Sequence, residues 1–183
     1  MDLEEVIQKR RSIRKYFPKK VEREILEKIL EQGILAPSAK NGQPWRFVVI
    51  QEDEILKNEI ADLVQQSGDE TITQRKTGES IINTANIMKQ APVLVLVFNS
   101  FGEHFLEPNM QSIGACIENI CLAATNLGLG SLWIANTNYA KTEIEDLFLE
   151  QEGNLAAAIS LGYADENPSA RPRRPIKEIT VWK

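Results

Sequence analysis

Three features are scarce in this 183-residue sequence, which has one histidine, two cysteines and no long apolar run. The single histidine, His104, leaves no Ser-His-Asp or Cys-His catalytic set, because no nucleophile motif accompanies it. It follows Phe101-Gly102-Glu103 in a polar segment, so we predict an exposed loop residue rather than a general acid. Without histidine pairs or cysteine clusters, a protein metal site is not expected. Demanding chemistry must therefore come from a bound cofactor.

The two cysteines, Cys116 and Cys121, lie five positions apart on a predicted helix and should neither bridge nor chelate. We expect both to be small core residues in a reducing compartment, which favours a cytoplasmic location. The longest apolar run, Pro92–Phe98, has the length of a buried strand, far below the roughly 18 residues of a membrane span. The N-terminal residues are acidic and amphipathic, so we expect neither a signal peptide nor membrane association.

No Gly-x-Gly-x-x-Gly segment follows a predicted strand, which argues against a Rossmann domain. The formal net charge is −5, but residues 1–20 carry +4, residues 167–183 also carry +4, and the remainder carries −13. These basic patches are too few and too short for nucleic-acid binding. Two basic ends in an acidic chain suggest instead that the ends meet around one small anion.

Arginine dominates both basic ends, and its forked donors suit phosphate better than a point charge does. We predict that Arg10, Ser12 and Arg174 bind a phosphate group, with Arg173 close by. The alternative for an isolated arginine pair is a solvated helix face. The complete clusters are Arg10, Arg11, Ser12 and Arg14 at one end, and Arg171, Arg173 and Arg174 at the other.

Four segments, in order, make the chain resemble the FMN-dependent nitroreductase family. Each alone is weak, but their order over a chain of this length is specific, and the match runs from about residue 3 to the C-terminus. The segments are Arg10–Arg14, the Pro-Ser-x-x-Asn-x-Gln-Pro-Trp motif of Pro37–Trp45, the Gly-Leu-Gly-x-x-Trp-Ile motif of Gly128–Ile134, and Leu161-Gly162-Tyr163 leading to Arg171–Pro175.

The resemblance implies a role for each segment. Arg14 would touch the pyrimidine edge of the flavin, with a surface ion pair as the alternative. A polar residue near Pro92 would also touch that edge, and the chain offers Asn83, Asn86 or Lys89 for this contact. The strand-end segment around Ala135 would offer a backbone N–H to flavin N5. The implied cofactor-binding residues are Arg10, Arg11, Ser12, Arg14, Pro37, Ser38, Ala39, Asn41, Gln43, Ile134, Ala135, Arg173 and Arg174.

The segment Pro37–Gln43 would reach the flavin from the other subunit, where small side chains let the backbone approach the ring. Asn41 can donate and accept there, although a plain turn residue is the alternative. Trp45 is interpreted as a core residue, because aromatic side chains dominate cores.

Hydrophobic periodicity predicts the secondary structure. Helices are predicted at 3–9, 21–35, 54–66 (with Ile55, Leu56, Ile60 and Leu63 inward), 81–90, 108–127 and 141–149. Strands are predicted at 45–50, 92–98, 131–135, 155–163 and 179–182. Residues 67–80 are predicted to form a mobile loop or lid, and Asp165–Pro175 an extended arm.

This pattern predicts an α+β fold, an α/β sandwich around a central, mostly antiparallel sheet in one domain spanning 1–183. The helix over 108–127 is apolar nearly all round, so it must be buried in a core or an interface. A lone chain would leave this helix and the terminal strand without partners. The resemblance implies the same result: an intertwined homodimer in which an arm of about residues 164–183 extends onto the partner subunit.

The predicted function is transfer of hydride from NADH or NADPH through flavin N5 to a nitroaromatic, quinone or similar acceptor, in a ping-pong mechanism. No side chain would act as an acid or base. Two alternatives remain open: other flavin chemistry on the same scaffold, such as flavin reduction, dehalogenation or oxidation, and a non-catalytic flavin-binding protein.

Overall fold

An antiparallel sheet lies at the centre of the fold, as predicted. The structure is a computed structural model that describes residues 1–71, 75–148, 150 and 153–183. Within these residues the strands are β1 Trp45–Ile50, β2 Val93–Asn99, β3 Gly130–Ile134 and β4 Asn154–Gly162, and they lie in the order β1-β2-β4-β3. The α-helices are α1 Leu3–Lys9, α2 Arg23–Ile34, α3 Glu54–Glu70, α4 Arg75–Gln90, α5 Leu106–Asn126, α6 Lys141–Asp146 and α7 Ile176–Ile179, and 3-10 helices span Ala39–Asn41 and Asn136–Ala140.

Strand β2 is buried along its whole length, because helices cover both faces of the sheet. Its side chains alternate: Leu94, Leu96 and Phe98 pack in the cluster that contains α3 and α4. The intervening valines pack in the cluster that contains α2 and α5. This arrangement explains a strand that is continuously apolar rather than alternating, and it confirms the prediction of a strand buried on both faces.

The prediction of a loop over residues 67–80 was wrong for most of its length. Helix α3 continues to Glu70 and α4 begins at Arg75, while residues 72–74 lie outside the described residues. Gly68, which suggested a loop, is buried at the crossing of the two helices. A Cβ added there would lie 2.9 Å from the Ile82 side chain and 3.1 Å from that of Ile81. The glycine therefore permits close helix packing.

Two further predictions need correction. Ile55 was predicted to face inward but is 83% exposed, while Lys57 is buried. The ammonium of Lys57 pairs with the Glu54 carboxylate at 2.7 Å and donates to the Ala91 carbonyl at 2.9 Å, so its charge is compensated. Of the predicted strand over 179–182, residue 179 instead ends the helical turn α7, in which the Glu178 N–H donates to the Pro175 carbonyl. Residues 180–182 pair with no strand among the described residues of this chain, so their pairing with a second subunit stays a prediction.

Helix boundaries elsewhere differ from the prediction by a few residues. Helix α6 ends at Asp146, and residue 149 of its predicted span lies outside the described residues. Helix α5 buries six of the predicted apolar positions in the core, while Ala115, Leu122 and Ala123 are partly exposed, so burial of the remaining face in an interface stays a prediction. After Ala164 the chain forms an extended and largely exposed arm, as predicted for Asp165–Pro175.

Candidate functional site

The segment Ser12–Phe17, within the N-terminal basic end, is bonded to the sheet. The Ile13 N–H donates to the Ser131 carbonyl on β3, and the Phe17 N–H donates to the Tyr163 carbonyl just after β4, both at 2.9 Å. The Tyr16 hydroxyl donates to the Ile13 carbonyl at 2.8 Å, inside the core. Burial raises the pKa of this phenol well above its ordinary value, so it stays neutral.

Two motif glycines let this segment lie directly against the sheet. A Cβ at Gly130 would stand 2.7 Å from Ile13 Cγ1, and one at Gly162 would stand 3.0 Å from the Tyr16 ring. Contacts under 3.0 Å require atoms to shift, so a side chain at Gly130 would push the segment outward. A side chain at Gly162 would first meet Pro92, at 2.6 Å. The second glycine of the Gly-Leu-Gly motif therefore helps to position the N-terminal arginines.

A cleft of about 750 Å³ contains both basic ends, which confirms that the ends meet. We call it the basic cleft; its polar lining is Gln8, Arg10, Arg11, Ser12, Arg14, Ser169, Arg171 and Arg173, with Glu118. Arg174, a predicted phosphate ligand, does not line it in this chain. Phosphate binding in this cleft stays a prediction.

The arginines of the basic cleft are held by contacts that leave donors available. Arg10 Nε lies 3.5 Å from Glu118 Oε1 on α5. Arg11 donates to the Gln8 carbonyl at 2.6 Å, which turns its side chain back along the chain. The Arg14 guanidinium donates to the Ser12 carbonyl at 3.1 Å, while the Arg14 N–H donates to Glu166 of the arm. Each guanidinium has five N–H donors, so unused capacity remains for an anion.

A second cavity of about 270 Å³ adjoins the first through Arg14, which lines both. We call it the inner pocket; its other lining residues include Ser80, Asn83, Thr84 and the segment Trp133–Asn136. It combines an apolar side from Ile87, Leu132 and Ile134 with amide and hydroxyl groups. This mixture suits a planar heteroaromatic ring better than a metal ion or a chain of methylenes.

The sequence placed Ile134 and Ala135 in the site, on a segment that continues to Asn136, but gave no sign of Ser80 and Thr84. The Asn136 amide donates to Thr84 Oγ1 at 2.8 Å, across the gap between β3 and α4. Ser80 belongs to the stretch that was predicted to be a loop, so no helical spacing linked it to Thr84. The remaining signal was a threonine and asparagine among apolar residues on α4, which periodicity alone does not single out.

The segment Pro37–Gln43 lines neither cavity within the described part of this chain. Its backbone is nevertheless fixed in an unusual shape, because Lys40, Asn41 and Gln43 all have φ near +50°. Ser38 Oγ accepts from the Gln43 N–H at 3.0 Å, and Ser112 Oγ accepts from the Ala39 N–H at 3.2 Å. Strained positions of this kind cost about 1–3 kcal/mol each and cluster at functional sites.

Other polar residues stand apart from the site. His104 is exposed as predicted, with its ring edge-on to Phe105 at 4.5 Å. Cys116 and Cys121 are free and buried, and burial raises their pKa values to about 12 and about 11. Trp45 packs against the core, as predicted. Within the described residues, no acidic, histidine or cysteine cluster could hold a metal ion, and no helix could cross a membrane.

Comparisons with known proteins agree with this geometry. The family model described as "Nitroreductase family" matches residues 7–163. A relative from Methanothermobacter thermautotrophicus, provisionally named an NADH dehydrogenase/NAD(P)H nitroreductase, is 32% identical over 93% of this chain and 82% of its own length. The chain therefore belongs to the nitroreductase family, a family of oxidoreductases, as its motifs predicted.

Two further similarities bear on the site. A solved structure from Desulfovibrio desulfuricans, which carries a provisional nitroreductase name and is in complex with FMN, is 29% identical with a TM-score of 0.77. It covers 100% of this chain and 97% of that one. The iodotyrosine deiodinase of Thermotoga neapolitana is 28% identical over 98% of this chain and 96% of its own length.

Proposed function

We propose that the chain is an FMN-dependent oxidoreductase that uses NADH or NADPH and a nitroaromatic, quinone or similar acceptor in a ping-pong cycle. The observation that carries the proposal is Arg14, which joins the basic cleft to the inner pocket. FMN has a dianionic phosphate at one end and a planar ring at the other, so it needs two adjoining cavities of this kind. When bound, FMN would supply the redox chemistry, accepting hydride at N5 and returning electrons to the acceptor.

The basic cleft fits the phosphate end. Arg10, Arg11, Ser12 and Arg173 line it and offer charged and neutral donors. Phosphate oxygens accept several charge-assisted hydrogen bonds, which arginine satisfies well. Arg174 belongs to the proposed set, with its contact made in the assembled protein rather than within one chain.

The inner pocket fits the ring end. Arg14 would sit at the pyrimidine edge and stabilise the negative charge that reduction leaves there. Asn83 lines the pocket and is our candidate for the second polar contact to that edge. Lys89 is directed elsewhere, because its ammonium pairs with Asp62 at 2.6 Å. Ile134 and Ala135 form the strand end that would bring backbone to flavin N5.

The segment Pro37–Gln43 contributes through a second subunit. We propose a homodimer of one domain per chain, spanning 1–183, in which Pro37, Ser38, Ala39, Asn41 and Gln43 approach the flavin bound mainly by the partner. The arm of about residues 164–183 would extend over the partner. Its support is the exposed apolar character of the arm, where Val181 is 81% exposed and Trp182 is 89% exposed.

The side chains of the site bind and orient the cofactor and the substrates, and none of them acts as an acid or a base. The thiols of Cys116 and Cys121 are buried in the core, and their raised pKa values keep them neutral. Solvent can supply the protons that the acceptor needs. The reducing, cytoplasmic location that the cysteines suggested is part of the same proposal.

Dehalogenation is the second candidate, favoured by the similarity to iodotyrosine deiodinase over nearly the full chain. Flavin reduction or oxidase chemistry would use the same site, and a non-catalytic flavin carrier would bind FMN without turnover. Acceptor profiling separates these possibilities, because each differs in what reoxidises the flavin.

The deciding experiment is the visible spectrum of the purified protein before and after anaerobic addition of NADH and NADPH. We expect a yellow protein that bleaches with at least one donor and recovers with a nitroaromatic or quinone. A colourless protein that fails to take up added FMN would overturn the proposal. A yellow protein that neither donor bleaches would indicate a non-catalytic flavin carrier.

A matched pair of variants tests the place of Arg14. We expect Arg14→Ala to lower the flavin potential or loosen FMN more than Lys40→Ala does, because Lys40 is not among the residues that we propose to contact FMN. Equal behaviour of the two variants in flavin titration would contradict this placement.

A further inference from the structure

The strand end that borders the inner pocket is held by a side-chain hydrogen bond outside the sheet. Strand β3 is an edge strand whose last ladder pair is Ile134 with Ala158. After this pair the chain turns away into the 3-10 helix Asn136–Ala140. The position of the backbone at Ala135 therefore depends on contacts beyond the ladder.

Asn136 and Thr84 supply such a contact. Asn136 Nδ2 lies 2.8 Å from Thr84 Oγ1 and 3.4 Å from the Ser80 carbonyl oxygen. The Thr84 hydroxyl lies 2.9 Å from that same carbonyl. A carbonyl only accepts, so the Thr84 proton points to Ser80 and its lone pair accepts from the Asn136 amide. The hydrogen bonds therefore run in one direction: the Asn136 amide, just after β3, donates to the Thr84 hydroxyl, which donates to the Ser80 carbonyl of α4.

We propose that Thr84 and Asn136 form a positioning pair that fixes the segment Ile134–Asn136 at the edge of the inner pocket. This inference rests on the proposed function, in which that segment approaches flavin N5. Thr84 is only 9% exposed, so its hydroxyl is kept away from competing water. Loss of the bond would let the segment drift from the ring, whereas the core beneath it would stay packed.

The test compares Thr84→Val, Thr84→Ser and Asn136→Ala, with Asn138→Ala as the matched control on the exposed face of the same 3-10 helix. For each, the midpoint potential of bound FMN, the Kd for FMN and the rate of anaerobic reduction by the preferred nicotinamide donor are measured. The melting temperature of the FMN-free protein provides a readout that does not depend on activity.

We expect Thr84→Val and Asn136→Ala to shift the potential and slow reduction on the order of tenfold, because small misplacements cost rate steeply. Thr84→Ser and Asn138→Ala should behave as the wild type. The melting temperature should fall by no more than about 2–4 °C. The double variant Thr84→Val/Asn136→Ala should be no slower than either single variant, since both remove the same bond.

If Thr84→Val and Asn136→Ala both keep the wild-type flavin potential and reduction rate, this inference is overturned but the proposed function is not. The same holds if Thr84→Ser is as impaired as Thr84→Val, or if the two losses simply add. A wild-type protein that binds no FMN would overturn the proposed function and this inference together, so the two failures are distinguishable.

Discussion

Glu118 is an acidic residue in a cleft that we propose to bind phosphate. It lies 3.5 Å from Arg10, where its charge competes with an incoming anion for the same guanidinium. We predict that Glu118→Gln lowers the Kd for FMN by about twofold to tenfold, since partly exposed charges interact modestly. Fluorescence titration of the FMN-free protein measures this change.

Two comparisons make the Glu118 prediction specific. Riboflavin lacks the phosphate, so its affinity should not change in Glu118→Gln. Glu107→Gln removes the same charge from the first turn of α5, away from the cleft, and should leave FMN binding unaltered. Weaker FMN binding in Glu118→Gln would show that Glu118 orients Arg10 instead of competing for it.

The buried thiols predict a loss of stability at alkaline pH. Burial raises the pKa of Cys116 to about 12 and of Cys121 to about 11, from an ordinary value of 9.0. As the pH rises above about 9, the unfolded chain releases these protons first, so the free energy of unfolding falls. Urea unfolding at pH 8, 9 and 10 should show this decline.

A variant separates the thiols from other titrating groups. Cys116→Ala/Cys121→Ala is expected to be less stable throughout because of the cavities, but to lose less stability between pH 8 and 10. Tyr16, whose raised pKa acts in the same direction, remains in both proteins. An identical pH slope in wild type and variant would refute the assignment to cysteine.

At the scale of elements, the segment Ser12–Phe17 depends on the absence of side chains beneath it. Gly130→Ala would bring a Cβ to 2.7 Å from Ile13 Cγ1 and 2.9 Å from Ile13 Cβ, and the Ile13 Cβ cannot move without the backbone. We predict a loss of about 1–3 kcal/mol in the free energy of unfolding. FMN should also bind more weakly, because Arg10–Arg14 shift with the segment.

Gly114→Ala is the matched control for Gly130→Ala. A Cβ at Gly114 would meet only the Trp133 ring, at an ordinary contact distance of 3.5 Å. Because alanine favours a helix interior, this variant should be neutral or gain up to about 1 kcal/mol. Urea unfolding measures the free energy of unfolding of both variants, and titration measures their Kd for FMN. Equal changes in the two variants would contradict the role of Gly130.

The sequence predicted the elements whose patterns were strong and local. The apolar run ending at Phe98 predicted β2, and helical spacing predicted α2 and the long α5 within a few residues. The prediction of a loop over residues 67–80 failed because Gly68 permits close helix packing, a tertiary contact that no local pattern reveals. The terminal strand over 179–182 was not confirmed, because residue 179 ends the helical turn α7 and residues 180–182 have no strand partner within the described part of this chain.

The site was predictable where motifs carried it. Arg10–Arg14 and Arg171–Arg173 could be paired by charge alone, and the structure brings them into one cleft. The contact between Thr84 and Asn136 could not be predicted in this way, because it results from how α4 packs beside β3. The proposed contact of Pro37–Gln43 with the flavin requires a second subunit, so the structure of one chain does not test it.

At the scale of the whole molecule, two surfaces of one chain complement each other. Among the described residues, strand β1 pairs with β2 alone, which leaves its outer edge unpaired, and its residues Val48–Ile50 line a cleft of about 600 Å³. The arm carries Val181 and Trp182 almost fully exposed. Exposed apolar groups of this size mark an interface, so the arm and this edge fit the proposed dimer.

The last prediction follows from that complementarity. Val181→Ala/Trp182→Ala should raise the Kd of the dimer about 30-fold or more, because buried aromatic residues dominate interface energies. Light scattering with size exclusion over a dilution series measures this change, and FMN affinity should fall in parallel if the site needs both subunits. Ile55→Ala, which removes an 83% exposed side chain from α3, is the control and should leave both unchanged. A variant that stays dimeric at high dilution would show that other surfaces, such as α5, hold the subunits together without the arm.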